Sequence, residues 1–190
     1  HEPADDSPAG RAWRAAALIE LVVRKYAPLP ASSLTYLVRL LGYGAPHLSA
    51  QTQAALRIAR EELASCSIDG TTWFWPADEN PASRRHAPDD AVRLLAPFDP
   101  VVWDRRRFEL LWGWTYKFEA YTPVPKRQFG YYALPMLWHD RVIGWANFGS
   151  SPEGRLKPVF GYADKRPRDA EFRAALDDEL QRMTLFLAGR

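Results

Sequence analysis

The 190-residue sequence contains a single cysteine, Cys66. One cysteine excludes an intramolecular disulfide framework and a multi-cysteine metal site, and it fits a reducing cytosol. Cys66 is expected to fill a small gap in the core. No apolar run is long enough to span a bilayer, and the N-terminus lacks the charged-then-apolar order of a signal peptide. A soluble, cytoplasmic chain with no membrane partner is therefore expected. Charge of one sign is also scarce. The 25 Lys and Arg stand against 23 Asp and Glu, for a net charge of +2, so any nucleic-acid surface has to arise from local clustering. The four histidines, His1, His47, His86 and His139, lie in separate segments without cysteine partners or short spacing, and no zinc site is expected. There is no glycine-rich phosphate loop and no serine nucleophile elbow, so an independent enzyme of another class finds no support and no cofactor is expected.

What the chain has in quantity is aromatic side chains, 13% of its residues with eight Trp, and some of these must lie near the surface where they can serve a binding face. Its length suits two small domains. Because it starts at His1 rather than Met, a processed form or a fragment of a longer protein is expected.

Residues 1–10 are polar and Pro-containing and read as a disordered leader. Residues 11–76 then read as a winged helix. Trp13, Ala16, Ala17, Ile19 or Glu20, and Val23 give helical spacing up to about Tyr26, where Pro28 and Pro30 stop the helix. A second helix, capped by Ser32 or Ser33, carries Leu34, Leu37, Val38 and Leu41 and closes at Gly42 and Gly44. A third starts at Ser49 with Ala55, Leu56, Ala59 and Leu63 inward. A short strand, the Asp69-Gly70 turn and a second strand through TTWFWP follow. In this order the third helix is placed to meet a groove of duplex DNA, with Arg57 and Arg60 on its exposed side. Those arginines can contact phosphates or pair with Glu61 and Glu62.

Residues 77–91 have linker composition, and 92–190 read as a small antiparallel β-barrel or sheet with a closing C-terminal helix. The whole is an α+β chain. Within the second unit, 104–111 is expected to be helical, with Arg105, Arg106 and Arg107 spread around it, since successive residues are about 100° apart. Trp114–Tyr121 alternates as a strand would, with Tyr116, Phe118 and Ala120 on one side and Lys117, Glu119 and Tyr121 on the other. The loop after it is stiffened by Pro123 and Pro125 and presents Lys126 and Arg127. Residues 131–138 and 141–148 form a hairpin turning at His139-Asp140, 156–162 can add a strand, and 169–188 is an amphipathic helix. The cations Lys117, Lys126 and Arg127, interleaved with aromatic rings, suit a phosphate backbone and stacked bases. Of the acids in this stretch, Asp99 is expected to cap a turn, Asp104 to cap or pair with the arginines after it, and Glu119 to pair with Lys117 or Arg127.

The segments FDPVVWDRRR, YKFEAYTPVPKRQFGYYALP and DRVIGWANF resemble, in order and spacing, the C-terminal signature of the YcaQ/AlkZ family of winged-helix DNA glycosylases. That signature consists of Phe-Asp, Trp-Asp-Arg, Tyr-x-x-Glu-x-Tyr-x-Pro-x-x-Lys-Arg and Gly-Tyr-Tyr-x-Leu-Pro. The strong match spans roughly residues 94–148. The resemblance implies tandem winged helices and a small β-barrel that bind duplex DNA and remove alkylated bases, including those in interstrand crosslinks, as part of DNA repair. In that family the hydrolase chemistry rests on a Gln-apolar-Asp/Gln motif in an N-terminal winged helix, whose polar groups orient water and stabilise the oxocarbenium-like transition state. Gln51-Thr52-Gln53 has the outer glutamines but a polar centre, and it lies just upstream of the C-terminal signature, so it is not assigned that role. The chain is also about half the family's usual length.

The expectation is therefore a DNA-binding portion, or a shortened relative, of such a glycosylase, with no catalytic residue of its own. Duplex DNA and a catalytic domain N-terminal to these residues are the expected partners. Lys126, Arg127, Arg105, Arg106 and Lys117 are the candidate phosphate contacts, with Tyr121 or Tyr131 against sugar or base and Arg57 and Arg60 from the third helix. The alternative is a non-catalytic winged-helix module for protein interaction or transcription.

Overall fold

The computed structural model describes residues 5–150 and 156–188, with six α-helices and two antiparallel sheets among them. The chain divides into two compact units, one up to Ser83 and one from Arg84. No described helix is long and apolar enough to cross a membrane.

In the first unit, α1 (Pro8–Tyr26) starts three residues before Arg11, where the helical unit was expected to begin. Pro8 occupies the first turn, where its missing N–H costs nothing, and the Ser7 side chain accepts from the Gly10 amide at 3.0 Å. Part of the expected leader is thus helix, and its first four residues lie outside the described ones. Ala15, Ile19 and Val23 line the buried stripe. Trp13, expected to face the core, is 72% exposed. A two-residue strand β1 (Leu29–Pro30) precedes α2 (Ala31–Gly44), which begins without the side-chain cap expected from Ser32 or Ser33 and runs through Gly42. A single 3-10 turn, Pro46–Leu48, leads to α3 (Ser49–Glu62).

Strands β2 (Ala64–Ile68) and β3 (Thr71–Trp75) form the expected hairpin. Its turn needs positive φ at both central residues, which Asp69 (49°) and Gly70 (72°) supply. β1 pairs with the other side of β3, giving the order β1-β3-β2. Leu34, Leu37 and Val38 of α2, Ala55 and Leu56 of α3, Leu48, Leu29, Trp73 and Phe74 complete the core. Truncating a side chain such as Leu34 to Ala costs about 2–5 kcal/mol at a site of this kind. Cys66, expected in the core, is exposed, because β2 is an edge strand whose residues after Ala64 all face solvent.

In the second unit, β4 (Val92–Leu94), α4 (Pro100–Trp103) and α5 (Arg105–Trp112) precede the hairpin β5 (Leu134–Trp138) and β6 (Arg141–Ser150), then β7 (Leu156–Tyr162) and the closing helix α6 (Ala170–Ala188). The sheet order β4-β5-β6-β7 is that of an open meander with a short strand on its edge. Among the described residues it does not close into the barrel that was the other form expected. β5 and β6 carry a register shift at Met136/Leu137, and the hairpin turns through His139 at φ 52°.

Two clusters hold this unit together. Val92, Met136, Phe172 and Leu176 seat α6 on the sheet. On α6 Leu180 and Met183 are partly buried, whereas Leu187, expected inward, is 39% exposed. The other cluster is aromatic: Phe108 and Tyr116, both 0% exposed, pack with Val102, Ala133, Val142, Trp112, Trp114, Phe129 and Trp145. Edge-to-face pairs such as Phe108–Trp114 (4.9 Å) and Phe129–Trp145 (4.8 Å) account for much of the high aromatic content.

Candidate nucleic-acid interface

The segment expected to be a strand, Trp114–Tyr121, is irregular backbone wrapped over the aromatic core. Its apparent alternation comes from side chains that anchor it. Trp114 donates from Nε1 to the Val142 carbonyl at 2.8 Å, and the Tyr116 hydroxyl donates to the Ala133 carbonyl at 2.6 Å. Burial pushes the Tyr116 hydroxyl up to about 12. The alternation fails at Glu119, which points inward and is only 4% exposed.

Glu119 organises the loop that follows. One of its oxygens, Oε2, accepts the backbone amides of Gln128 (2.8 Å), Phe129 (2.7 Å) and Gly130 (3.2 Å). It is therefore a cap for the Lys126–Gly130 turn, in place of the side-chain ion pair expected with Lys117 or Arg127. Burial by itself raises this carboxyl, but the three amides outweigh it and, with Lys117 adding, hold its pKa below the ordinary carboxylate value. Gly130 has φ 113°, and a Cβ there would lie 2.6 Å from Asn147 Oδ1. The Asn147 amide in turn donates to the Phe129 carbonyl. The turn is thus fixed from one side by Glu119 and from the other by β6.

This frame places the candidate residues very differently. Lys126 sits at the end of a 3-10 turn, Val124–Lys126, exposed and without an ion pair among the described residues. Arg127 donates from Nε to the Thr122 carbonyl at 2.8 Å and lies over the Tyr131 ring at 5.1 Å, so its direction is set while part of the guanidinium stays open. Tyr121 is 94% exposed and Tyr131 60%. Phe118 meets Tyr121, Tyr132 and Phe98 edge-to-face at 6.2, 5.3 and 5.2 Å, which joins these rings in one cluster. Lys117 is exposed.

The three consecutive arginines separate as helical geometry requires. Arg106 is exposed. Arg105 donates to the Val102 (2.6 Å) and Pro97 (2.8 Å) carbonyls and covers the Tyr116 ring at 4.4 Å, and burial lowers its pKa. Arg107 is buried and donates to the Pro100 carbonyl. Asp99 and Asp104 cap α4 and α5, accepting from the Val101 amide (2.8 Å) and the Arg107 amide (3.1 Å). Each is thus engaged as a helix cap.

In the first unit, Arg57 lies 3.8 Å from Glu61, and Arg60 donates to the Thr35 hydroxyl of α2 at 2.6 Å. Of the Gln51-Thr52-Gln53 triplet, Thr52 is buried with its hydroxyl on the Ser49 carbonyl at 2.8 Å, and Gln53 is exposed. Gln51 borders a groove of about 660 Å³ between α1 and α3, with Trp13, Ala54 and Ile58 among its lining. The organising role of Glu119 had no local signal in the sequence beyond its place in the Tyr-x-x-Glu-x-Tyr pattern.

No solved structure matches the chain. The profile of a protein family described as DNA glycosylase AlkZ-like matches residues 1–186.

Proposed function

The chain belongs to the AlkZ-like DNA glycosylase family, and from that membership we propose that these residues supply a duplex-DNA-binding surface for a DNA-repair glycosylase. The observation that carries this reading is the Glu119-held turn, which presents an exposed Lys126 and holds Arg127 over the exposed Tyr131 ring, with Tyr121 exposed in the same segment. Lys117 and Arg106, both exposed, are read as further phosphate contacts, and Arg105 is given less weight because its guanidinium serves backbone carbonyls. Cations contact phosphates without regard to sequence, and flat exposed rings pack against sugar or base. The first unit, with three helices and β1 added to the β2–β3 hairpin, is read as a winged helix, and Arg57 and Arg60 are its secondary contacts. The family's base-excision chemistry is assigned outside these residues, since Thr52 replaces the apolar centre of the motif.

A labelled duplex titrated with the protein at low salt tests the reading by fluorescence anisotropy. Binding that weakens steeply and linearly on a log–log plot against salt is expected. No binding to intact, mismatched or abasic duplex would instead favour a protein-interaction module. Incubation with alkylated duplex is expected to leave no abasic sites, and turnover abolished by changing Gln51 or Gln53 would return the chemistry to this chain.

A further inference from the structure

We propose that Asp90, His139 and Glu171 form a binding site for a divalent transition-metal ion of the zinc type. Each offers one ligand atom, and the three atoms lie within 4.8 Å of one another. They come from three separate segments: the stretch before β4, the β5–β6 turn and the first turn of α6. No short sequence spacing announces them, which is why the sequence predicted no metal site.

The donor set is one imidazole nitrogen and two carboxylate oxygens, a combination zinc accepts with bonds of about 2.0–2.2 Å. Tetrahedral bonds of that length put ligand atoms about 3.3 Å apart. His139 Nδ1 and Asp90 Oδ1 are already 3.6 Å apart, and the remaining spread closes by rotation of the exposed Asp90 and Glu171 side chains.

What makes this more than a chance meeting of surface charges is how the three are held. Each ligand stands within two residues of the same core cluster: Asp90 before Val92, His139 after Trp138, Glu171 before Phe172. Val92 pairs with Trp138 across the sheet, and Trp138 packs on Phe172 at 5.1 Å. The His139 ring lies 4.3 Å from Trp138, and its backbone takes φ 52°, so the imidazole is directed by both the turn and the stack. Packing therefore sets the backbone positions of all three ligands and the direction of the imidazole before an ion arrives, leaving only the two carboxylate side chains to be ordered on binding. The site lies at the surface, leaving the remaining coordination position to water. A bound ion would also fasten α6 to the end of the sheet.

The site is independent of the DNA-binding proposal and is tested without DNA. Zinc chloride is titrated into the protein by calorimetry and, separately, into thermal melts. Saturable one-to-one binding is expected, together with a rise in melting temperature of at least about 2 °C at saturating zinc. His139→Asn keeps a residue tolerant of the left-handed turn while removing the imidazole. It should weaken zinc at least tenfold and abolish the thermal shift, and Glu171→Gln should weaken it as well. Both variants leave the exposed Cys66 thiol in place, so zinc captured by that thiol is distinguished. No saturable binding up to about 1 mM zinc, or an affinity unchanged in His139→Asn, would overturn the assignment.

Discussion

Helix α3 and the 114–133 segment both carry exposed cations, yet the two spend them in opposite ways. On α3, Arg57 faces Glu61 and Arg60 is bonded to Thr35, so the helix serves its own unit first. In the 114–133 segment the internal bonding falls to a carboxylate, Glu119, and to backbone groups, and among the described residues Lys126 and Arg127 have no ion pair, Arg127 being aimed by its bond to the Thr122 carbonyl. The lesson is that exposure alone does not mark a binding cation. Arg57 and Lys126 are both exposed, and they differ in whether, among the described residues, a carboxylate already stands opposite.

The comparison breaks most severely if Glu119 is removed. Glu119→Ala leaves three amides without their acceptor, so a stability loss of about 2–4 kcal/mol in chemical denaturation and at least a tenfold loss of duplex affinity are expected. Glu119→Gln, which keeps an oxygen acceptor, should lose less of both. Gly130→Ala comes next. A methyl group against Asn147, in a backbone region that L-residues avoid, should cost about 1–3 kcal/mol and displace the turn, with a smaller loss of affinity.

Acid offers a milder way to the same end. A carboxyl whose folded pKa lies below its unfolded value of about 4.5 contributes stability fully above that value, and loses it as pH falls through the folded pKa. Melting temperature should therefore fall below pH 4.5 more steeply in the wild type than in Glu119→Gln. Tyr121→Ala should have the smallest effect, about two- to fivefold in affinity with little change in melting temperature, because its ring is almost wholly exposed and meets Phe118 only at 6.2 Å.

Much of this was legible in the sequence where the signal is periodic or local. The helices that became α1, α3 and α6, the Asp69-Gly70 turn and the turn at His139 follow from apolar spacing and turn chemistry. The two- and three-residue strands β1 and β4 are too short to carry a period, and they are defined only by partners distant in sequence. Trp114–Tyr121 looked like a strand because aromatic anchors at alternate positions imitate one. The acceptor role of Glu119 depends on amides nine to eleven residues away, which no local pattern encodes. Likewise, composition could say that three successive arginines diverge, but which of them stays free depends on where the Val102, Pro97 and Pro100 carbonyls fall.

The central claim, that the Glu119-held turn rather than α3 carries the main phosphate contacts, is tested most directly by the salt dependence of duplex binding in two double variants. For Lys126→Ala/Arg127→Ala, the slope of log affinity against log salt should become shallower by about 2, with about tenfold weaker binding at low salt. For Arg57→Ala/Arg60→Ala, the slope should stay within about 1 of the wild type. An unchanged slope in the first variant, or the larger change in the second, would contradict the account.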